Sequence, residues 1–192
     1  LSGFSTAVSL DLRSSDAITD DGTAGVLVVS NATFSGTSIT LDDFYQLGSL
    51  TFLSAGAVEI SEADATVLSG ISTAASLNLR SNDAITNDSS ADVSIANNAT
   101  FNGVRITLGD QAGDTFNFGT LSFVSTGTVS IAEDSSTVLS GTSSALSLSL
   151  SSNNEITNDG LARVTVDNNV EFSGTLITLG DQAGDVLRFG SL

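Results

Sequence analysis

Short runs in which apolar and polar residues alternate dominate the chain. The recurring unit is an apolar–polar–apolar triplet followed, after five residues, by one more apolar residue. Alternation with a period of two is typical of a β-strand that buries one face. Asn, Asp, Ser and Gly interrupt the runs, and these residues favour turns. The pattern predicts strands of about four to six residues, tight corners and no helix. Three successive units are Leu77/Leu79/Ile85, Val93/Ile95/Phe101 and Leu121/Phe123/Val129.

The same pattern returns along the chain as a long repeat. "LSGFSTAVSLDLRSSDAITDD" begins at Leu1, "LSGISTAASLNLRSNDAITND" at Leu68 and "LSGTSSALSLSLSSNNEITND" at Leu139. The second and third copies agree without a gap at 32 of the 54 positions they share, so the period is 71 residues. The first copy is four residues shorter, because "LDDFYQLG" at 41–48 replaces "LGDQAGDTFNFG" at 108–119. We expect one continuous structure made of repeat 1 (1–67), repeat 2 (68–138) and an incomplete repeat 3 (139–192), taken from a longer array.

The predicted fold is an all-β parallel β-helix, or β-solenoid. Three strand motifs per repeat give about three coils of roughly 24 residues, a usual length for this fold. The motifs are unevenly spaced, so four coils of about 18 residues are the alternative. We expect equivalent residues such as Leu10, Leu77 and Leu148 to point inward and to stack in register along the axis. The same is expected of Val26, Val93 and Val164, with Asn78, Arg80 and Ser94 facing solvent.

A string of small β-sandwiches is the competing fold. A sandwich of the immunoglobulin type needs about 100 residues and, usually, a core Trp or a tyrosine corner. The period here is 71 residues, Trp is absent, and Tyr45 is the only tyrosine. The solenoid is therefore favoured over the sandwich.

Composition and charge restrict the possible partners. The formal net charge is −17, and all five positive charges are Arg. Such a surface repels nucleic acids and anionic lipid head groups, because binding to either relies on Lys and Arg. No apolar run is long enough to span a membrane. We expect no nucleic-acid partner and no membrane insertion.

Catalytic chemistry has few candidate residues. The chain contains no His, Cys or Lys, so most nucleophilic and acid–base schemes lack their usual groups. Paired carboxylates, as in glycoside hydrolysis, are what remains. The conspicuous acids, however, recur from copy to copy: Asp20, Asp88 and Asp159 in "ITDD/ITND", and Asp110 and Asp181 in "LGDQAGD". Recurrence favours a role in the repeat, so no catalytic residue and no enzyme activity are expected.

The segment "LGDQAGD", at 108–114 and again at 179–185, is the sharpest local motif. Each copy has two Asp four residues apart in a Gly-containing loop, and carboxylates beside free carbonyls suit a hard cation such as Ca²⁺. Asp110, Asp114, Asp181 and Asp185 are therefore the candidate calcium ligands. A loop closed by hydrogen bonds of the Asp side chains is the alternative. The motif loosely resembles the glycine- and aspartate-rich nonapeptides of calcium-binding toxin repeats, although it lacks their paired glycines.

Two Asn pairs, Asn97/Asn98 and Asn168/Asn169, occupy matching predicted corners. Asn in such places either adopts a left-handed backbone conformation or stacks as a side-chain ladder between coils. Both interpretations are structural.

Segments such as "AITNDSSADVSIANNATFNG" and "GTLSFVSTGTVSIAEDSSTVLSG" resemble the repeat regions of very large bacterial surface proteins. These are the filamentous-haemagglutinin-like and autotransporter-type adhesins, including giant repeat proteins of planctomycetes and cyanobacteria. The resemblance covers the whole chain and is one of texture rather than of a diagnostic motif. It implies a right-handed parallel β-helix, secretion to the cell surface, and roles in adhesion to surface polysaccharide or other cells, or in matrix building. The expected function is a structural or adhesive fibre segment, with a polysaccharide-acting enzyme and a calcium-binding spacer of a surface layer as alternatives.

Overall fold

The structure, a computed structural model, describes residues 1–191 and is built of β-strands and corners alone. No helix that could cross a membrane occurs in these residues. In chain order the strands are β1 (Phe4–Ala7), β2 (Leu10–Arg13), β3 (Ile18–Thr19), β4 (Gly25–Gly36), β5 (Ile39–Leu41), β6 (Phe44–Ser54), β7 (Ala57–Glu62), β8 (Thr66–Leu68), β9 (Ile71–Ala74), β10 (Ser76–Ser81), β11 (Ala84–Asn87), β12 (Asp92–Gly103), β13 (Arg105–Leu108), β14 (Thr115–Ser125), β15 (Thr128–Glu133), β16 (Thr137–Leu139), β17 (Thr142–Ala145), β18 (Ser147–Ser152), β19 (Glu155–Asn158), β20 (Arg163–Ser173), β21 (Leu176–Thr178) and β22 (Val186–Ser191).

The strands pair in parallel with the strands one coil before and one coil after them. Phe4 pairs with Gly25 and Gly25 with Phe44, for example, so each circuit returns the chain to the same stack. The result is a β-solenoid of about nine coils with about 21 residues per coil. The predicted all-β parallel solenoid is confirmed, with coils somewhat shorter than the roughly 24 residues expected.

The 71-residue repeat does not contain a whole number of coils. Thr66 pairs with Ile85, Ile85 with Ile106 and Ile106 with Val129, so three coils from β8 end on β15. The residue equivalent to Thr66 is Thr137, which lies one strand further on, in β16. One repeat therefore makes about three and a third coils.

The expectation that equivalent residues stack on one another was consequently wrong. They point into the core, but each copy is displaced by one strand around the coil. The same displacement separates the equivalent valines, Val26, Val93 and Val164. Leu77 and Leu121 do share a stack, two coils apart, but Val93 lies in a different stack. The partners of the three leucines are Ala32 for Leu10, Val58 and Ala99 for Leu77, and Val129 and Val170 for Leu148.

The core is one continuous column of inward side chains. Leu79, Phe101 and Phe123 lie directly over one another in successive coils and are fully buried. The ring of Phe118 packs against that of Phe101 with their centroids 5.4 Å apart. Among the outward neighbours, Asn78 is half-buried while Arg80 and Ser94 are exposed, so alternation predicted the buried face.

The extra third of a coil arises where one long strand is covered, in the next coil, by two short strands. The second half of β6 is covered by β8, through Leu50 and Leu68, and by β9, through Leu53 and Thr73. The first half of β6 is covered by the corner that follows β7, where the Ala63 N–H donates to the Tyr45 carbonyl at 2.7 Å. The geometry recurs one repeat later at β14, which is followed by β16 and β17.

Where a long strand is covered by two short ones, some of its backbone N–H groups have no strand partner, and side chains accept their hydrogen bonds instead. The Leu47 N–H donates to Glu62 Oε1 at 3.0 Å, and the Phe52 N–H donates to Ser72 Oγ at 3.1 Å. In repeat 2 the Phe118 N–H donates to Glu133 Oε1 at 2.9 Å, and the Phe123 N–H donates to Ser143 Oγ at 3.2 Å. Buried backbone donors are rarely left unpaired, so these side chains are part of the fold.

A glycine lies beneath a bulge in each repeat. The register of β12 against β14 shifts between Ile95 and Asn98, and Gly119 lies beneath this shift. A Cβ on Gly119 would lie 2.6 Å from the Asn97 carbonyl oxygen and still closer to that of Ala96. Gly48 and Gly190 occupy the equivalent places in the other two copies, with backbone carbonyls equally close. Close approach of the backbone explains the recurrence of these glycines.

The Asn side chains at the bulges form polar ladders with Thr and Ser hydroxyls of the next coil, and not stacks of Asn on Asn. Asn98 Nδ2 donates to Thr100 Oγ1 at 2.7 Å, and Thr120 Oγ1 donates to Asn98 Oδ1 at 2.9 Å. No residue other than Gly has a positive φ in the described part of the chain, so the left-handed alternative for these Asn was wrong.

Candidate functional site

The two "LGDQAGD" loops lie at corners of the solenoid, between β13 and β14 and between β21 and β22. Gly109 and Gly180 turn the chain out of the strand with φ of +75° and +73°, which favours glycine. Asp110 and Asp181 are exposed, whereas Asp114 and Asp185 are partly buried. The structure therefore brings the four candidate aspartates together in pairs, one pair per loop, and not as one site.

Hydrogen bonds hold the repeat 2 loop to the coil before it. Asp114 Oδ2 accepts from the Gln111 N–H at 2.9 Å and from Asn87 Nδ2 at 2.8 Å. Asn87 Oδ1 accepts from the Gly109 N–H at 3.0 Å, and its carbonyl accepts from Gln111 Nε2 at 2.9 Å. The recurrence of Asp114 thus has a structural cause, as in the alternative given above.

The repeat 3 loop is built in the same way. Asp185 Oδ2 accepts from the Gln182 N–H at 2.9 Å, and Asn158 Oδ1 accepts from the Gly180 N–H at 2.8 Å. Gln182 Nε2 donates to the Asn158 carbonyl at 3.2 Å. Calcium binding by Asp110, Asp114, Asp181 and Asp185 stays a prediction, with one oxygen of Asp114 and of Asp185 already engaged within the loop.

We expect Asp114→Ala to lower the free energy of unfolding by about 1–2 kcal/mol even when a chelator removes all calcium. The reason is that the Gln111 N–H and the Asn87 amide would lose their shared acceptor. Thermal unfolding with EDTA and with Ca²⁺ measures this. Asp110→Ala is the matched control, because its exposed side chain makes no such bond, and it should change stability little.

Calcium dependence separates the two interpretations of these loops. A melting temperature that rises with Ca²⁺ in the native chain, but not in an Asp110→Asn/Asp181→Asn variant, would establish the metal site. Equal stability of Asp114→Ala and the native chain in EDTA would contradict the hydrogen-bonded loop.

Repeat 1 has a different arrangement at the same place, a cluster of the carboxylates of Asp20, Asp42 and Asp43. One oxygen from each lies within 4.8 Å of the others, the one such acidic group among the described residues. Asp20 Oδ2 accepts from the Asp42 N–H at 2.8 Å, the Asp43 N–H at 3.2 Å and the Tyr45 hydroxyl at 3.0 Å. Converging oxygens of this kind could hold a hard cation.

The structure also corrects the alignment of these acids. Asp20 is not the counterpart of Asp88 and Asp159, because it accepts from the Asp42 N–H where Asn87 and Asn158 accept from the Gly109 and Gly180 N–H groups. The counterpart of Asp88 is Asp21. Tyr45 likewise matches Phe116, so the acid and the hydroxyl that bonds it both belong to repeat 1 alone. Sequence reasoning missed the cluster, and the signal was the paired change of Asn87 to Asp20 and of Phe116 to Tyr45 between copies.

Protonation in this cluster is set by neighbouring groups. Burial opposes the ionised form of Asp20, but the hydrogen bonds from Asp43, Tyr45 and Asp42 together outweigh it and lower the pKa of that carboxyl. The Asp20 carboxylate in turn raises the pKa of Asp42. Burial, and then the bond to Asp20, raises the pKa of the Tyr45 hydroxyl. The cluster is therefore anionic at neutral pH, and the one ion pair among residues 1–191, Arg13 with Asp11, lies outside it.

A shallow polar groove recurs on the outer face of the solenoid. In one copy it has a volume of about 580 Å³ and Glu171 as its only acid. The equivalent groove one repeat earlier has a volume of about 410 Å³ and Glu59 as its only acid, at a position that does not match Glu171. Among the described residues, neither groove contains a pair of carboxylates. The matching outward positions that line both grooves are Thr128 and Ala57, Ser147 and Ser76, Ser149 and Asn78, and Asn169 and Asn98.

Sequence reasoning also missed two buried glutamates, Glu62 and Glu133, each only 3% exposed. Their signal was present in the alternation, since Val58, Ile60 and Glu62 are spaced by two residues and share the inward face.

No protein-family model matches the chain, and no curated protein or solved structure shows significant similarity to it. The solenoid, its repeated surface and its buried polar groups are thus the features that bear on function.

Proposed function

We propose that the chain is a structural or adhesive segment of a long extracellular or cell-surface fibre made of tandem β-solenoid repeats. The observation that carries the proposal is the continuous core, in which every coil rests on the next without a break across repeat boundaries. A rod of this kind transmits load along its axis and displays the same surface at regular intervals.

Recurrence of the polar features supports a fibre over an enzyme. The "LGDQAGD" loops, the Asn ladders, the glycines under the bulges and the polar groove all return from one repeat to the next. A catalytic centre needs one particular constellation, whereas repeated groups serve the repeat. The net charge of −17 also favours solubility of a long exposed surface.

The polysaccharide-acting enzyme remains the second candidate because repeat 1 does contain a unique acidic cluster. One oxygen of Asp20 already accepts from three donors, which makes this residue a poor general base. The two polar grooves each contain a single glutamate, and glycoside hydrolysis needs a pair. Both observations weigh against the enzyme.

Parallel pairing from coil to coil provides a way for such a segment to join its neighbours. Among residues 1–191, β1, β2 and β3 pair with strands of the next coil, and β21 and β22 pair with strands of the preceding one. Each edge can be extended by a further coil of the same chain or by another copy stacked head to tail, a contact that does not close and so propagates. Self-association or covalent continuation is therefore part of the proposal, as is adhesion to surface polysaccharide or other cells.

We expect concentrated samples to form thin, unbranched filaments in electron micrographs. The spacing of strands should give an axial reflection near 4.8 Å, and three and a third coils should give a repeat of about 16 Å. Ile177→Lys is the matched variant, because it places a charge on the edge strand β21 and should shorten the filaments while leaving circular dichroism unchanged. The fibre would be overturned, and the enzyme favoured, if the full-length protein had folded caps over both edges and stayed a monodisperse monomer at every concentration.

A further inference from the structure

Glu62 and Glu133 occupy the same place in two successive repeats. Each ends the strand that lies between a long strand and the two short strands that cover it, β7 after β6 in repeat 1 and β15 after β14 in repeat 2. Each is only 3% exposed, and no Arg forms an ion pair with either in the described residues. A buried carboxylate without a counter-ion is costly, so each carboxyl is expected to be neutral in the closed fold.

The contacts of the two oxygens fit a protonated acid. Glu62 Oε1 accepts the Leu47 N–H, which takes up one oxygen. Glu62 Oε2 and the fully buried hydroxyl of Thr66 are each without a hydrogen-bond partner among the described residues. A neutral carboxyl can give its proton to that hydroxyl, and the two groups then satisfy each other. Glu133 Oε2 and the Thr137 hydroxyl form the same pair of unpartnered atoms one repeat later.

The charged groups around each glutamate act in the same direction. Asp64 lies at the corner after Glu62, Asp83 faces Asp64 from the next coil, and Asp134 follows Glu133, so the charges that act on the two glutamates are negative. Arg80 lies beside Ser61 on the paired strand β10, but its side chain is on the exposed outer face. On the strand above Glu62 the titratable group is Tyr45, whose hydroxyl is bonded to Asp20. Burial and then the charge of Asp64 raise the pKa of Glu62 to about 8, and burial and then the charge of Asp134 raise the pKa of Glu133 to about 7, in spite of the Thr hydroxyls and backbone N–H groups that lower them.

We propose that each complete repeat contains a proton-dependent joint, at the corner of Glu62 in repeat 1 and of Glu133 in repeat 2, which is closed when the glutamate is protonated and opens when it ionises. The joint covers the first half of β6 or β14, so its opening uncovers the end of one strand stack and weakens the contact between successive repeats. This goes beyond the fibre itself, because it gives the rod regularly spaced points that soften in alkaline surroundings.

The sign of the pH dependence follows from proton linkage. In the unfolded chain both glutamates lose their protons near pH 4.5, whereas in the folded chain they keep them up to about pH 7 and 8. The folded state therefore binds more protons between these limits, and stability falls as the pH rises through them. The contribution of the two glutamates is complete below about pH 4.5 and is lost above about pH 8.

The test compares the native chain with a Glu62→Gln/Glu133→Gln variant. Gln keeps an acceptor for the backbone N–H and a donor for the Thr hydroxyl, so it mimics the protonated acid at every pH. Unfolding at pH 6, measured by calorimetry in buffers of different ionisation enthalpy, should release about two more protons from the native chain than from the variant. The protection of the Leu47 and Phe118 amides against hydrogen exchange should fall at least about tenfold from pH 6 to pH 9 in the native chain and stay constant in the variant.

The matched control is Glu155→Gln/Glu171→Gln, which removes the same formal charge from two exposed glutamates. It should behave as the native chain does in both measurements. A ¹³C titration of the native chain needs no variant and should place both buried carboxyls well above pH 6. Ordinary titration of Glu62 and Glu133 near pH 4.5, or an unchanged pH dependence in a folded Glu62→Gln/Glu133→Gln variant, would overturn the proposal.

Discussion

Gly119→Ala is expected to lower the free energy of unfolding by about 3 kcal/mol, although it adds a single methyl group. The methyl group would lie 2.6 Å from the carbonyl oxygen of Asn97 and would clash more severely with that of Ala96. Both oxygens belong to the backbone of the preceding coil, so relief requires a shift of the strand ladder itself. Urea denaturation followed by far-ultraviolet circular dichroism measures the loss.

Gly160→Ala is the matched control for this substitution. The nearest atom to its new methyl group would be the side-chain oxygen of Gln182 at 3.1 Å, and the φ of Gly160 is not in the left-handed region. We expect a change of less than about 0.5 kcal/mol. If Gly119→Ala were as stable as Gly160→Ala, close backbone approach would not be the reason that glycine recurs under each bulge.

Phe101→Ala is expected to lower the free energy of unfolding by about 3–5 kcal/mol, the usual range for a buried Phe. The ring lies between Leu79 and Phe123 in the stack and packs against Phe118, with no exposed surface. The cavity would lie in the middle of the column, where coils on both sides hold the walls apart. Chemical denaturation again measures the effect, with a spectroscopic probe of strand content.

Phe4→Ala makes the same chemical change at a residue that is 71% exposed, and it should cost less than about 1 kcal/mol. A loss at Phe101 no larger than that at Phe4 would mean that the inward column does not carry the stability of the solenoid.

Alternation predicted which side chains are inside, and the structure places Leu77, Leu79 and Val93 in the core as expected. The pattern could not give the number of coils, because it records strand positions but not how far each corner advances around the axis. It also could not show that two shorter strands, β8 and β9, pair with β6, since that depends on pairing between residues about 20 positions apart. The prediction of register between equivalent leucines was wrong for this reason.

The candidate sites were predictable to different degrees. The repeated motif identified the aspartates of "LGDQAGD", but only the structure shows that the Asn87 side chain and the Gln111 N–H already donate to Asp114. The cluster of Asp20, Asp42 and Asp43 depends on two segments more than 20 residues apart that meet in adjacent coils. Glu62 lies on the inward face by simple alternation, yet the Leu47 N–H that it accepts belongs to the preceding coil, which alternation could not show.

The extra third of a coil in each repeat makes the rod a threefold screw. Each copy is turned by about 120° relative to the one before it and advanced by about 16 Å, so a given surface feature faces the same way again after three copies, about 48 Å along the axis. The "LGDQAGD" loops of an extended array would therefore wind around the shaft and not line one side of it. A ligand would meet a copy of the loop on each of three sides of the shaft, whereas two rods lying side by side could match loop to loop only at every third copy.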